Sequence, residues 1–113
     1  MVIVRQWHGR VPNAKADKYR EFLRARALPD YCGCAGNLSA YVLERRDGEA
    51  THFVTMTFWD GWESIRGFAG DDVAKAKYYP EDADFLLEFE PTVTHYELAG
   101  QALPPPTPAD LSR

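Results

Sequence analysis

The dipeptide Asp47-Gly48 constrains the fold most, because it separates two runs, 38–46 and 51–59, that are rich in strand-forming residues. Asp-Gly supplies the positive backbone angles of a tight turn, so the two runs read as the arms of an antiparallel hairpin. A third β-rich run, residues 2–10 (VIVRQWHGR), is bounded by Gly9 and Pro12 and carries bulky groups on both alternating faces. That pattern predicts a central strand covered on both sides. Next, Tyr19, Phe22, Leu23 and Ala27 fall at helical spacing, which predicts a helix over about 14–28, capped by Asn13 and stopped before Pro29. Pro29 to Gly36 then reads as a loop. Beyond the hairpin, Asp60 and Glu63 have capping-box spacing, Trp62, Ile65 and Phe68/Ala69 form an apolar stripe, and Gly70 ends this second helix. Asp71 or Asp72 is expected to cap a further short turn through Tyr78, which Pro80 breaks. Residues 81–90 (EDADFLLEFE) read as a half-buried connection with a short helical piece, and Glu81, Asp82 and Asp84 as its solvated or capping face. Pro91 precedes a last strand over 92–98.

The order β-α-β-β-α-β is the ferredoxin-like split βαβ plan, an α+β fold whose helices cover one face of a four-stranded antiparallel sheet. Strands one and three also carry Val4, Val54, Met56 and Phe58, which occupy the other face. One copy has no layer left to cover them, so a homodimer through the sheet face is expected. A chain of 113 residues, 45% hydrophobic, fits one domain, here placed over 1–99. The tail, 100–113, holds four prolines and is expected to be disordered or to lie along a partner. A net charge of −4 without a basic stripe argues against nucleic acid as a partner. No apolar run approaches the roughly 20 residues of a membrane span. The opening Met1-Val2-Ile3-Val4-Arg5 lacks a signal-peptide pattern, so a cytoplasmic location is expected. Cys32 and Cys34, one glycine apart, lack neighbouring zinc ligands and read as loop thiols.

Chemistry can be carried by few residues. Trp7, Trp59, Trp62, Tyr78 and Tyr79 offer flat apolar surface with polar tips, suited to an aromatic ligand or to ordinary core packing. Arg5 shares a strand face with Trp7, and a buried arginine needs a partner, with Glu88, Glu97 or a substrate phenolate as candidates. On strand three, Phe53, Thr55, Thr57 and Trp59 share one face, and two small threonines among large groups predict open space. A cavity bounded by Arg5, Trp7, Thr55, Thr57, Trp59 and Tyr79 is therefore expected, with Tyr78 also at its rim. A register pairing residue 8 with 52 and residue 6 with 95 would bring His8, His52 and His95 onto one face, for acid–base work, for hydrogen bonding or for a metal. No Ser-His-Asp order, P-loop, dinucleotide glycine fingerprint or HExxH is present.

Over about 2–98 the sequence resembles the antibiotic-biosynthesis monooxygenase family of the dimeric α/β-barrel superfamily. The resemblance rests on the opening Ile3-Val4-Arg5-Gln6-Trp7-His8-Gly9-Arg10, on Phe58-Trp59-Asp60, on Trp62-Glu63-Ser64-Ile65-Arg66-Gly67-Phe68, and on Tyr78-Tyr79-Pro80-Glu81-Asp82 with Phe85-Leu86-Leu87-Glu88-Phe89-Glu90-Pro91. It implies a dimeric α/β barrel and a monooxygenase that oxidises a small aromatic, phenolic or quinol-like compound with O2 and no cofactor. His8 or His52 would be the base and Arg5 the anion partner. Trp7, Thr55, Thr57, Trp59, Tyr78 and Tyr79 would bind the substrate, and no metal is expected. A non-catalytic small-molecule-binding dimer and a haem-binding protein are the alternatives. The haem-degrading branch uses an Asn, a Trp and a His that fall by position on Trp7, Phe68 and Tyr78, and none of the three matches.

Overall fold

A computed structural model describes residues 1–106. Strand β1 (Ile3–Pro12) leads into a continuous helical run: a 3-10 turn at Asn13–Lys15, helix α1 (Ala16–Phe22), a wide π turn at Leu23–Ala27 and helix α2 (Leu28–Cys32). Strands β2 (Asn37–Asp47) and β3 (Ala50–Trp59) form the hairpin, and helix α3 (Trp62–Ala69) follows. A 3-10 turn at Pro80–Asp84 and the short strand β4 (Thr94–Glu97) complete the order. The sheet is four-stranded, antiparallel throughout and ordered β2-β3-β1-β4. This is an α+β fold with the strand order that the split βαβ plan requires.

Gly48 takes the positive φ of 63° that the hairpin turn needs, which is why Asp-Gly was informative. Alternation then sets the layers. Along β3, Thr51, Phe53, Thr55, Thr57 and Trp59 are buried toward the helices, while His52, Val54, Met56 and Phe58 are only partly covered on the opposite face. Trp59, Tyr19, Phe53, Ile3, Ile65 and Val11 are the largest fully buried side chains of the single core. Tyr41, Leu43 and Tyr96 are about half exposed at 52%, 47% and 54%, and by register they stand on the open face beside Val54, Met56 and Val4.

Several local expectations are corrected. Pro29 does not stop the helix, which runs on to Cys32. The N–H of Leu28 reaches back to the carbonyl of Leu23, and this wider turn just before the proline spares the contact that a regular helix would make with its ring. Asn13 is not a helix cap; its side chain donates to the Gly48 carbonyl (2.9 Å) and accepts from the Thr51 hydroxyl (2.8 Å), pinning the hairpin turn to the helix start. Asp60 accepts from Ser64 instead of capping α3. The short turn expected through Tyr78 forms, but it closes already at Lys75, whose N–H reaches the Asp72 carbonyl (3.1 Å). It leads into an isolated bridge between Lys75 and Thr92. Of the two readings of the acidic stretch, solvated or capping, Asp82 takes the second: it closes a capping box with Tyr79 at the start of the 3-10 turn Pro80–Asp84. It is 2% exposed, accepts from the Tyr19 hydroxyl (2.8 Å) and from the Tyr79 N–H (2.7 Å), and burial raises its pKa. The tail reading concerns 100–113. Residues 101–106 are exposed and outside any element, and 107–113 lie outside the described residues.

Candidate functional site

The sheet has two faces, and the residues singled out above divide between them. Arg5, Trp7, Thr55, Thr57 and Trp59 all point toward the helices, as alternation demands. The space there is small, about 10 Å³, roughly enough for one water molecule. Trp7, Thr55 and Tyr79 line it, together with Tyr19, Leu23, Ala27, Tyr31, Lys77 and Asp82; Arg5, Thr57, Trp59 and Tyr78 do not. The threonines are committed elsewhere. The Thr55 hydroxyl is hydrogen-bonded to the Tyr31 hydroxyl (3.1 Å), and Thr57 accepts from the Trp59 indole (2.8 Å) and donates to the Arg5 carbonyl (3.3 Å). The Tyr79 hydroxyl donates to Asp30 (2.6 Å), and the Arg26 guanidinium lies over its ring, so it is held at the surface. The Tyr78 hydroxyl donates to the Glu90 carbonyl. The Trp7 indole N–H is turned toward that hydroxyl without a well-formed hydrogen bond. A ligand-sized cavity on this face, as the sequence predicted, is thus corrected to a nearly solid core.

Arg5 is only 3% exposed, yet neither Glu88 nor Glu97 is its partner. Its guanidinium donates to the carbonyls of Val73 (2.6 Å) and Lys75 (3.0 Å) and to Nε2 of His95 (3.2 Å). Burial lowers its pKa from the usual arginine value. Since an arginine can only donate, His95 must offer a bare Nε2 and is neutral. Burial, and then the charge of Arg5, lower the His95 pKa. An unfolded histidine, at about 6.5, takes up a proton before this one does, so the unfolded chain binds more protons as pH falls. Stability should therefore be lost on acidification from about pH 6.5 downward. His95→Gln keeps an acceptor for Arg5 and cannot titrate, so chemical denaturation between pH 7 and 5 should show a flatter loss than wild type. An unchanged slope would remove His95 as a cause.

The other two histidines meet on the open face. The register pairs His8 with Val54 and Arg10 with His52, so His8 and His52 are diagonal neighbours, with His8 Nε2 2.8 Å from His52 Nδ1. The expected pairing of 8 with 52 was off by two residues, which preserves the face. On β4 the pairing is Arg5 with His95 where 6 with 95 was expected, and a slip of one residue sends His95 to the helix side. The three histidines do not converge.

Glu90, which sequence reasoning passed over, accepts at Nδ1 of His8. Residues 86–90 run along the edge of β1 beyond the end of β4, fixed by the Leu87 N–H on the Arg10 carbonyl (2.9 Å). This places Glu88 on Arg10 (2.6 Å) and Glu90 on His8. Asp47 at the hairpin end lies 3.8 Å from His52 Nε2 and 3.3 Å from Arg45. Beside the histidine pair is a hollow of about 140 Å³ lined by His8, Leu43, Glu44, Arg45, His52 and Val54. Burial, then Arg45 and His8, lower the His52 pKa, which favours its neutral, proton-accepting form near neutral pH.

Among the described residues no group of three or more His, Cys, Asp or Glu side chains forms a metal-binding arrangement, and Cys32 and Cys34 are free thiols. No helix among these residues is long and apolar enough to cross a membrane. Compared with known proteins, the chain matches no family model, and no curated protein matches it.

Proposed function

We propose that the protein is a homodimeric, cofactor-independent oxygenase of the antibiotic-biosynthesis monooxygenase type, acting on a small phenolic or quinol-like compound at the open face of the sheet. The observation that carries this reading is the chain Glu90–His8–His52 beside a hollow that also holds Arg45. A neutral imidazole held by a carboxylate suits proton abstraction, and a guanidinium beside it suits the anion that forms. The anion partner is Arg45 in this reading, since Arg5 lies on the far side of the sheet. Deprotonation of an activated C–H or phenol gives an electron-rich anion that reduces O2. O2 adds at the anion's carbon. As the O–O bond breaks, that carbon loses its remaining hydrogen as a proton and becomes a carbonyl, and this proton together with the one held by the histidine carries the other oxygen away as water.

The hollow is smaller than a typical ligand site of about 300–1,000 Å³. A second copy laid over Val4, Val54, Met56 and Phe58 would roof it and complete a dimeric α/β barrel. Val4 is already covered within one copy, at 6% exposure. The gain therefore falls on the partly covered Val54, Met56 and Phe58 and on the half-exposed Tyr41, Leu43 and Tyr96. Each contributes less than the roughly 1.5–3 kcal/mol of a fully exposed side chain. Native mass measurement at micromolar concentration should give a dimer, and Val54→Asp should shift it to monomer or unfold it. A stable wild-type monomer would remove the roof and with it this site.

Oxygen uptake tests the activity. Metal-free protein incubated with anthrones, quinols and flavonols should consume O2, and the paired replacement His8→Ala/His52→Ala should lower the rate by about 10²–10⁴, the usual contribution of a positioned base. Uptake unaffected by the double variant would overturn the assignment. Saturable binding without uptake would instead identify a non-catalytic binding module.

A further inference from the structure

This inference rests on the reading that the His8–His52 pair does the proton transfer, and it asks which nitrogen does so. We infer that Glu90 is a positioning residue that sets the tautomer of both imidazoles through His8, leaving Nε2 of His52 as the base atom.

The argument is one of donors and acceptors. An ionised carboxylate only accepts, so the contact at Glu90 requires a proton on Nδ1 of His8. Neutral His8 then has a bare Nε2. That nitrogen lies 2.8 Å from Nδ1 of His52, which must therefore carry the proton between them. With its proton on Nδ1, neutral His52 has a bare Nε2. The opposite arrangement would set a bare His8 Nδ1 against a carboxylate, two acceptors face to face. Glu90 itself is held by its own main chain: its carbonyl accepts from the Tyr78 hydroxyl, and Leu87 is bonded to Arg10 three residues earlier.

The surroundings agree with a base at this nitrogen. Asp47 Oδ2 stands 3.8 Å away, too far for a hydrogen bond yet close enough to favour the imidazolium that forms on proton uptake. Burial first, then Arg45 and Arg10, oppose that charge and lower the His52 pKa, so His52 is neutral near pH 7. The base is thus poised between one carboxylate that accepts its charge and cations that discourage early protonation. Glu44 also lines the adjoining hollow, but its carboxylate is occupied by Arg20 (2.8 Å) on the helix side.

The test is long-range ¹H–¹⁵N NMR on protein labelled at histidine nitrogens, without substrate, at pH 7.5. Both His8 and His52 should show a protonated Nδ1 and a bare Nε2. A His52 protonated at Nε2 would overturn the inference. Glu90→Leu removes the acceptor and should turn both rings to mixed or reversed tautomers, with the backbone amide spectrum otherwise retained; unchanged tautomers in that variant would also overturn it. If Glu90→Leu does not fold, the wild-type assignment alone decides. In the oxygen-uptake assay the same variant should lower kcat by about 10²–10⁴ with KM little changed, because a misplaced proton disables the base without touching substrate contacts. Expected tautomers combined with absent uptake would sink the oxygenase reading and leave the role of Glu90 standing.

Discussion

Thr55→Leu should destabilise the fold by several kcal/mol. Two effects add. Leucine is larger than the 2%-exposed threonine it replaces, and the adjoining space of about 10 Å³ cannot take the extra methyl groups. Overpacking of this kind costs about 1–3 kcal/mol. The Tyr31 hydroxyl also loses its 3.1 Å partner while staying buried, worth about another 1–3 kcal/mol. The sum is a large share of the ~5–15 kcal/mol that holds a small domain together. Urea or guanidinium unfolding should show a lower midpoint with an unchanged slope. Thr55→Ser, which keeps the hydroxyl, should lose much less. A Thr55→Leu protein as stable as wild type would mean that the helix side can open, and a ligand site there would return.

What the residues made legible and what they did not follows from the range over which each signal acts. The Asp47-Gly48 turn and the period of two are local geometry, so the hairpin, the antiparallel four-stranded sheet and the face shared by Arg5, Trp7, Thr55, Thr57 and Trp59 could be read directly. Open space could not. Small polar residues on a core face have two explanations, and only Tyr31 arriving from α2 and the Trp59 indole decide for filled hydrogen-bonded packing. Tyr31 itself is hidden in the sequence because Pro29, two residues earlier, reads as the end of the helix. The π turn that carries the chain through Pro29 has no strong sequence mark. Trp59 and Trp62, both suited in the sequence to core packing or to a ligand wall, also part company: Trp59 is fully buried and Trp62 is 38% exposed, since α3 buries Ile65 and Phe68.

The histidines depend on register, a tertiary quantity. A wrong pairing of two residues on β3 left His8 and His52 together, while an error of one on β4 reversed His95. Glu90 was hidden for a related reason. Its alternation with Glu88 was visible, but the stretch pairs with no strand in the ordinary sense, and its alignment on β1 rests on the Leu87–Arg10 contact. The same contact joins the two faces of the sheet. It sets Leu86 into the core beside Trp7 and Glu90 against His8, so packing on one face controls the geometry on the other.

Gly9→Ala should expose that link. Gly9 lies in mid-strand with no positive φ, so the backbone itself would accept alanine. Removing glycine would even gain roughly 0.4–1 kcal/mol from the unfolded chain. The obstacle is space. A methyl group there would sit 2.6 Å from the Trp7 ring edge and 2.8 Å from the Leu86 side chain. Leu86 can rotate away. Trp7 cannot, because its ring lies over the glycine and is flanked by Tyr78 at 6.1 Å between ring centres. Overpacking of about 1–3 kcal/mol therefore outweighs the backbone gain. We expect a net loss of about 1–2 kcal/mol, which for a domain of this size lowers Tm by about 4–8 °C per kcal/mol. Displacing Leu86 should also draw residues 87–90 off the edge of β1 and loosen Glu90 from His8, seen as a change in the His8 nitrogen signals larger than that at His95. A rise in Tm would show that the indole does not rest on Gly9. A fall in Tm with an unaltered His8 would show that the two faces are independent.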